Sequence, residues 1–141
     1  MADWNEDELT RIGAAEELQV ASERPDGTLR PYVTIWVVRQ GDGIYVRSAY
    51  GSSNPWFRRA RASGTGRIRA GGVEKDVTFT DAATAADGSI DVAAIDTAYH
   101  AKYDRYGPAI VGTVVGPEAA TSTFRLDPRG DDPVRAGGAP I

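Results

Sequence analysis

The sequence predicts a mainly β protein of the α+β class, in which an antiparallel sheet of six strands curls into a small barrel with helices outside. Short alternating or β-branched runs recur along the chain, glycine-containing turns join most of them directly, and only three segments have helical spacing. The 141 residues correspond to one domain. We place this domain at residues 1–127 and expect a tail rich in proline and glycine at residues 128–141.

The first half of the chain predicts one helix and three strands. Asn5 or Asp7 can cap a helix from about Glu6 to Ala15. Turns then separate the strands, because proline fixes φ and glycine accepts positive φ. The strands are Glu17–Ser22, Tyr32–Arg39 and Ile44–Ser48, and the turns contain Pro25-Asp26-Gly27 and Gly41-Asp42-Gly43.

The second half predicts two helices and three more strands. Pro55 suits the first position of a helix that Asn54 caps. A longer helix begins at Asp87 or Ser89 and ends near Tyr106, before a Gly-Pro pair. The shorter helix ends near Ala62, and the strands are Thr65–Ala70, Val73–Thr80 and Ala119–Leu126.

The strand Tyr32–Arg39 is apolar on both faces. One face can fill the barrel, but the other, which carries Tyr32, Trp36 and Val38, needs a second cover. A helix of the same chain or a second subunit can supply that cover. The sequence leaves both possibilities open.

Composition excludes several kinds of site and partner. The chain has no cysteine and one histidine, which excludes disulfides, zinc fingers and any site with two imidazoles, and we expect no metal. A net charge of −4 argues against a general nucleic-acid binder. No apolar run approaches the roughly 20 residues of a membrane span, and the acidic start has no signal-peptide core. We therefore expect a cytoplasmic protein that binds neither nucleic acid nor membrane.

Arginines are concentrated in one third of the chain. Between Asp42 and Glu74 there is no acidic residue, whereas six arginines fall in this window. Within it, Gly51-Ser52-Ser53-Asn54 precedes a helix start, where hydroxyls and free N–H groups favour an anion. The window therefore predicts an anion site, and the alternative is that its arginines line a solvated helix face.

Two residues are candidate catalytic groups. Tyr50 lies in the polar loop beside the predicted anion site, where a phenol can donate a proton. His100 has Asp96 and Asp104 at helical spacing, and a neighbouring carboxylate can orient an imidazole as a base. The alternative for His100 is a surface histidine in a charged stripe.

Three segments of the chain resemble a known superfamily. The hairpin from Gly27 to Val46, the loop and Pro-Trp helix start from Ser48 to Phe57, and the strands from Gly66 to Thr80 look like the split-barrel flavin-binding proteins. They are most similar to the deazaflavin-dependent nitroreductase branch. The chain as a whole resembles an uncharacterised bacterial family, a domain of unknown function, grouped with that superfamily.

The resemblance implies a six-stranded split barrel, a homodimer, and an oxidoreductase that uses FMN or deazaflavin on a small organic substrate. A cofactor-free enzyme or a ligand-binding module on the same barrel is the alternative, and a purely structural dimer is a third possibility. Carried over by position, the residues implied to contact the cofactor are Arg47, Ser48, Ser52, Ser53 and Arg58, with Trp56 packing nearby.

Overall fold

The computed structural model describes residues 4–49, 54–81, 90–116, 119 and 121–129. The predicted helix starts at Asp87 and Ser89, and residues 130–141 of the predicted tail, lie outside these residues. Within the described ranges, the helices are α1 (Glu6–Ala14), α2 (Pro55–Ser63), α3 (Val92–Tyr103) and α4 (Pro108–Val111), with one 3-10 turn (Asp104–Tyr106). The strands are β1 (Leu18–Ser22), β2 (Val33–Ile35), β3 (Val37–Gln40), β4 (Gly43–Arg47), β5 (Thr65–Ala70), β6 (Val73–Asp81) and β7 (Thr123–Pro128).

The strands form one antiparallel sheet in the order β2-β1-β5-β6-β7-β4-β3. Only Trp36 separates β2 from β3 in the chain, yet the two strands lie at opposite ends of this order. In β2, Val33 pairs with Val20 of β1, whereas in β3, Val38 pairs with Tyr45 of β4. One run of chain therefore contributes both edges, and the sheet is a nearly closed barrel.

This architecture confirms the predicted barrel with flanking helices, with one difference in strand count. The single predicted strand Tyr32–Arg39 is present as β2 and β3, because the chain changes its pairing partner at Trp36. The other five predicted strands correspond to β1, β4, β5, β6 and β7. The last of them begins at Thr123 rather than Ala119 and ends at Pro128.

Helix α3 covers the outer face of the long apolar strand. Its N-cap is Asp91, whose carboxylate accepts the backbone N–H of Ala94 (3.0 Å). Its buried face, which includes Tyr99 and Tyr103, packs against Val38 of β3. A helix of the same chain therefore covers this part of the strand.

Aromatic rings fill the barrel interior beneath α2. Phe57 of α2 and Phe124 of β7 are fully buried, and their rings stack with centroids 4.3 Å apart. At Gly66, β5 passes so close to β1 that a Cβ would lie 2.2 Å from the carbonyl oxygen of Ala21. Only glycine fits this close approach of two backbones.

Candidate functional site

Three neighbouring cavities share lining residues. The first, of about 320 Å³, shares Val33 and Trp56 with the second, of about 120 Å³. The second shares Arg30 and Arg59 with the third, of about 1040 Å³. We name the three cavities together the ligand groove, the first cavity its apolar end and the third cavity its arginine cleft.

Two tryptophans border the apolar end. Trp36 lies at the bend between β2 and β3, and its ring stacks on Tyr103 with centroids 4.0 Å apart. Burial raises the pKa of the Tyr103 phenol, which therefore stays protonated beneath Trp36. Trp56, in the first turn of α2, lines the same cavity, and the remaining lining residues are mostly aliphatic. A cavity of this kind suits a flat hydrophobic ring system.

Residues of α2 line both the apolar end and the arginine cleft. The side chain of Asn54 accepts the backbone N–H of Trp56 (3.4 Å), and Pro55 occupies the first helical position, as predicted. Helical spacing then turns Trp56 inward and leaves Arg58 and Arg59 exposed on the opposite face. The inward face borders the apolar end, and the outward face borders the arginine cleft.

Positive side chains outnumber negative ones among the described residues of the arginine cleft. Its one described carboxylate, Glu23, already accepts the hydroxyl of Thr65 (2.6 Å) and pairs with Arg129 (3.5 Å). The Nε atom of Arg30 is buried and has no hydrogen-bond partner among the described residues. Guanidinium groups without a carboxylate attract phosphate or carboxylate ligands. Within the described residues, the arginines that line the cleft and form no ion pair are Arg24, Arg30, Arg58, Arg59 and Arg61.

Arg47 borders the apolar end, but its guanidinium is directed into the protein. The residue is 1% exposed, and its Nε donates to the hydroxyl of Thr123 (2.8 Å). Its terminal nitrogens donate to the carbonyls of Val114 (2.9 Å) and Val92 (3.1 Å). It also forms an ion pair with Asp96. These contacts join β4, β7 and α3 to the segment after α4, which forms one wall of the apolar end.

Two other predicted residues do not line the groove. Ser48 is fully buried, and its backbone N–H donates to the carbonyl of Ser122 (3.1 Å). His100 is exposed on α3, where its Nδ1 lies 2.8 Å from a carboxylate oxygen of Asp104. The proposed roles of both residues stay predictions.

The remaining predicted residues, Tyr50, Ser52 and Ser53, lie outside the described residues. The described residues on either side of them, Ala49 and Asn54, both line the apolar end. Their predicted roles also stay predictions. Of the predicted cofactor residues, the structure therefore brings Arg47, Trp56 and Arg58 to the ligand groove.

Sequence reasoning missed Arg24 and Arg30 as groove residues. Both flank the Pro25-Asp26-Gly27 turn, outside the acid-free window that predicts the anion site. The backbone N–H of Arg24 donates to the carbonyl of Thr28 (2.7 Å), which closes this turn. Arginines on both sides of a predicted turn were the available signal, because a turn brings its flanking residues together.

The nearly closed barrel, in which one bent strand supplies both edges, and the groove at that bend define the class of the protein: it has a split-barrel fold. The chain belongs to a family described as "Uncharacterized protein conserved in bacteria (DUF2255)", which matches residues 8–126. No curated protein sequence matches the chain significantly.

Solved structures with a similar fold include the following two. One is HutZ, a heme storage protein from Vibrio cholerae, with a TM-score of 0.55 and 15% identity over 88% of this chain and 89% of that chain. The other is an F420 reductase, with a TM-score of 0.54 and 14% identity over 90% of this chain and 97% of that chain. At such low identity the likeness shows the fold alone.

The described residues contain neither a membrane-spanning helix nor a metal-binding cluster. None of the described helices combines the length and apolar character needed to cross a membrane. Nor do the described histidine, aspartate and glutamate side chains form a group of three that could hold a metal ion.

Proposed function

We propose that this protein binds a phosphorylated flavin or deazaflavin along the ligand groove and acts as an oxidoreductase on a small organic substrate. The observation that carries the proposal is the row of neighbouring cavities that begins at two tryptophans and ends at arginines with no ion pair among the described residues. Such a cofactor has the same polarity, with a flat hydrophobic ring system at one end and a phosphate further along. The similar fold of an F420 reductase supports the proposal.

The groove residues fit such a ligand. Trp36 and Trp56 border a cavity in which a ring system can pack. Arg30, Arg58 and Arg59 border the route to the cleft, and a phosphate would supply the partner that the buried Nε of Arg30 lacks. When bound, the cofactor would supply hydride transfer, while the chain orients the cofactor and excludes water.

The other predicted residues take different roles in this proposal. We assign Arg47 to the wall of the apolar end, because its guanidinium already has four partners in the chain. Tyr50 is the proposed proton donor, and Ser52 and Ser53 are the proposed hydroxyls near the phosphate. His100 does not line the groove, so a catalytic role for it would require substrate to reach the exposed face of α3.

We also propose that the protein acts as a cytoplasmic homodimer. Val33 and Ile110 line the apolar end and are 36% and 48% exposed. A second copy placed over these side chains would remove apolar surface from water and close the cavity over a bound ring.

Titration with FMN and with reduced deazaflavin, followed by tryptophan fluorescence, tests the proposal. Two of the three tryptophans border the apolar end, whereas the indole of Trp4 is buried and donates to the carbonyl of Leu126 (2.8 Å). We expect quenching by one of the two compounds at micromolar concentration. Arg58→Gln should weaken its binding by about 1.5–3 kcal/mol, or about ten- to a hundredfold, because a charge-assisted hydrogen bond is lost.

Arg11→Gln is the matched control, because Arg11 is exposed on α1 and pairs with Asp7 in the adjacent turn (2.9 Å). This variant should bind the cofactor like the parent chain. The absence of quenching by both compounds would refute the proposal, as would equal weakening in the two variants. Binding of a different aromatic anion in place of both compounds would support the alternative of a cofactor-free enzyme or ligand-binding module.

A further inference from the structure

A second cleft, separate from the ligand groove, lies between α1 and α3 above β3. Its volume is about 600 Å³. Lys102, near the end of α3, is the one lysine among its described lining residues. Much of the remaining lining is aliphatic and includes Leu9, Ala14, Val38, Ala98 and Ala101.

Two backbone carbonyls hold the amine of Lys102. Its Nζ donates to the carbonyl oxygens of Ala15 (2.6 Å) and Val37 (2.7 Å). It forms no ion pair within the described part of the chain. A neutral amine has two hydrogens and one lone pair. The two carbonyls take both hydrogens, so the neutral amine keeps its lone pair free.

The protein environment of Lys102 stabilises the neutral form of its amine, relative to the charged form, more than bulk water does. Burial lowers its pKa to about 8, because desolvation outweighs the attraction of Glu16, and the positive charge of Arg105 adds to the effect. On the strand side, Arg39 is already bound by both carboxylate oxygens of Glu6 (3.1 and 3.2 Å). A nucleophilic fraction of the amine is therefore present near neutral pH.

We propose that Lys102 is a covalent binding site for apolar aldehydes that enter this cleft. The lone pair of Nζ attacks the carbonyl carbon, and a C–N bond forms. The carbonyl oxygen then leaves as water, with one hydrogen from the amine and one proton from solvent. The product is a protonated imine that keeps one N–H, and no group is oxidised or reduced.

The hydrogen bonds of the site fit this product. The single N–H of the protonated imine can donate to the carbonyl of Ala15. The carbonyl of Val37 loses Lys102 as a donor but still lies 3.0 Å from the hydroxyl of Tyr103. A carbamate formed with carbon dioxide would instead place a negative charge where Arg39 is already paired. The cleft therefore favours a neutral carbonyl compound.

Reductive labelling with hexanal and cyanoborohydride at neutral pH, followed by peptide mass spectrometry, tests this site. The chain has one other lysine, Lys75, whose Nζ lies 2.6 Å from a carboxylate oxygen of Glu8. We expect Lys102 to be alkylated at least about tenfold faster than Lys75. Lys102→Arg keeps the charge and the donors, and it should lose this adduct without a change at Lys75. Equal labelling of the two lysines would overturn the proposal.

A second variant separates binding in the cleft from simple reactivity of the amine. Ala101→Phe places a ring in the cleft and should slow labelling of Lys102 by hexanal several-fold. Labelling of the same lysine by formaldehyde, which needs little space, should stay at the rate of the parent chain. Unchanged labelling by hexanal would overturn the proposal, and so would equal slowing with both aldehydes.

Discussion

Replacement of Arg47 by methionine should destabilise the fold strongly. The side chain of Arg47 is fully buried, and it pairs with Asp96 and donates to three further acceptors. Methionine keeps much of the volume but removes every donor. The acceptors then lose a partner: the side chain of Thr123 is fully buried, whereas that of Asp96 is 32% exposed.

The expected loss follows from the burial of this pair. Deletion of one partner of a buried ion pair costs about 3–5 kcal/mol. Because water can solvate part of Asp96, we expect the lower end, about 3–4 kcal/mol. For 141 residues, an unfolding entropy of about 2.1 cal/mol/K per residue makes each kcal/mol worth about 3 °C. The Tm should therefore fall by about 10 °C.

Urea and thermal unfolding of Arg47→Met and Arg11→Met measure this difference. Arg11 is more than half exposed, and loss of its pair with Asp7 should cost less than about 0.5 kcal/mol. A cost below about 1 kcal/mol for Arg47→Met would refute the reasoning, because the loss of a buried ion pair should far exceed the roughly 0.5 kcal/mol of an ordinary surface substitution. Equal costs in the two variants would refute it as well.

Two further predictions concern backbone packing and pH. In Gly66→Ala, the new Cβ would lie 2.2 Å from the carbonyl oxygen of Ala21 and 2.9 Å from the ring of Phe79. The free energy of unfolding, measured in urea, should therefore fall by about 2–3 kcal/mol. An unchanged free energy of unfolding would contradict the close approach. The pKa of Lys102 is about 8 in the folded chain and about 10.4 when unfolded, so the unfolded state binds more protons in between. Stability should therefore rise from about pH 8 to about pH 10, and Lys102→Met should lack this rise in urea unfolding across the same range. Above this window, the raised pKa of the buried Tyr99 acts in the opposite direction, because its phenol ionises first in the unfolded chain.

Local signals in the sequence were sufficient for most elements of the barrel. The cap and proline that start α2 act within three residues, and glycine turns mark the β3–β4 and β5–β6 hairpins. The break at Trp36 has no such signal, because the run around it is β-branched and aromatic throughout. At that point the backbone N–H of Val37 donates to the hydroxyl of Tyr103 (3.1 Å), and the ring of Trp36 stacks on the same tyrosine. Tyr103, which makes both contacts at this break, lies 66 residues after Val37 in the sequence.

For the candidate site, composition predicts where arginines are concentrated along the chain. It does not predict whether each arginine side chain points into solvent or into the protein. The arginines of α2 belong to an amphipathic helix, so their exposure follows from helical spacing. The direction of the Arg47 side chain follows from strand alternation instead. Like Tyr45, Arg47 lies on the face of β4 against which α3 packs. Whether that face is solvated depends on whether a distant helix covers it, and α3 does so and supplies Asp96. Charge counted along the sequence could not distinguish these two cases.

The net charge of −4 has the opposite sign to the charge that lines the ligand groove. In the first turn of α1, Glu6 and Glu8 pair with Arg39 (3.1 Å) and Lys75 (2.6 Å), and neither carboxylate lines the groove. The one described carboxylate of the arginine cleft, Glu23, is itself bound. Salt confines the influence of exposed charges to roughly 8–10 Å. An anion in the cleft therefore responds to the unpaired arginines beside it, and a negatively charged protein can favour a negatively charged ligand at this one place.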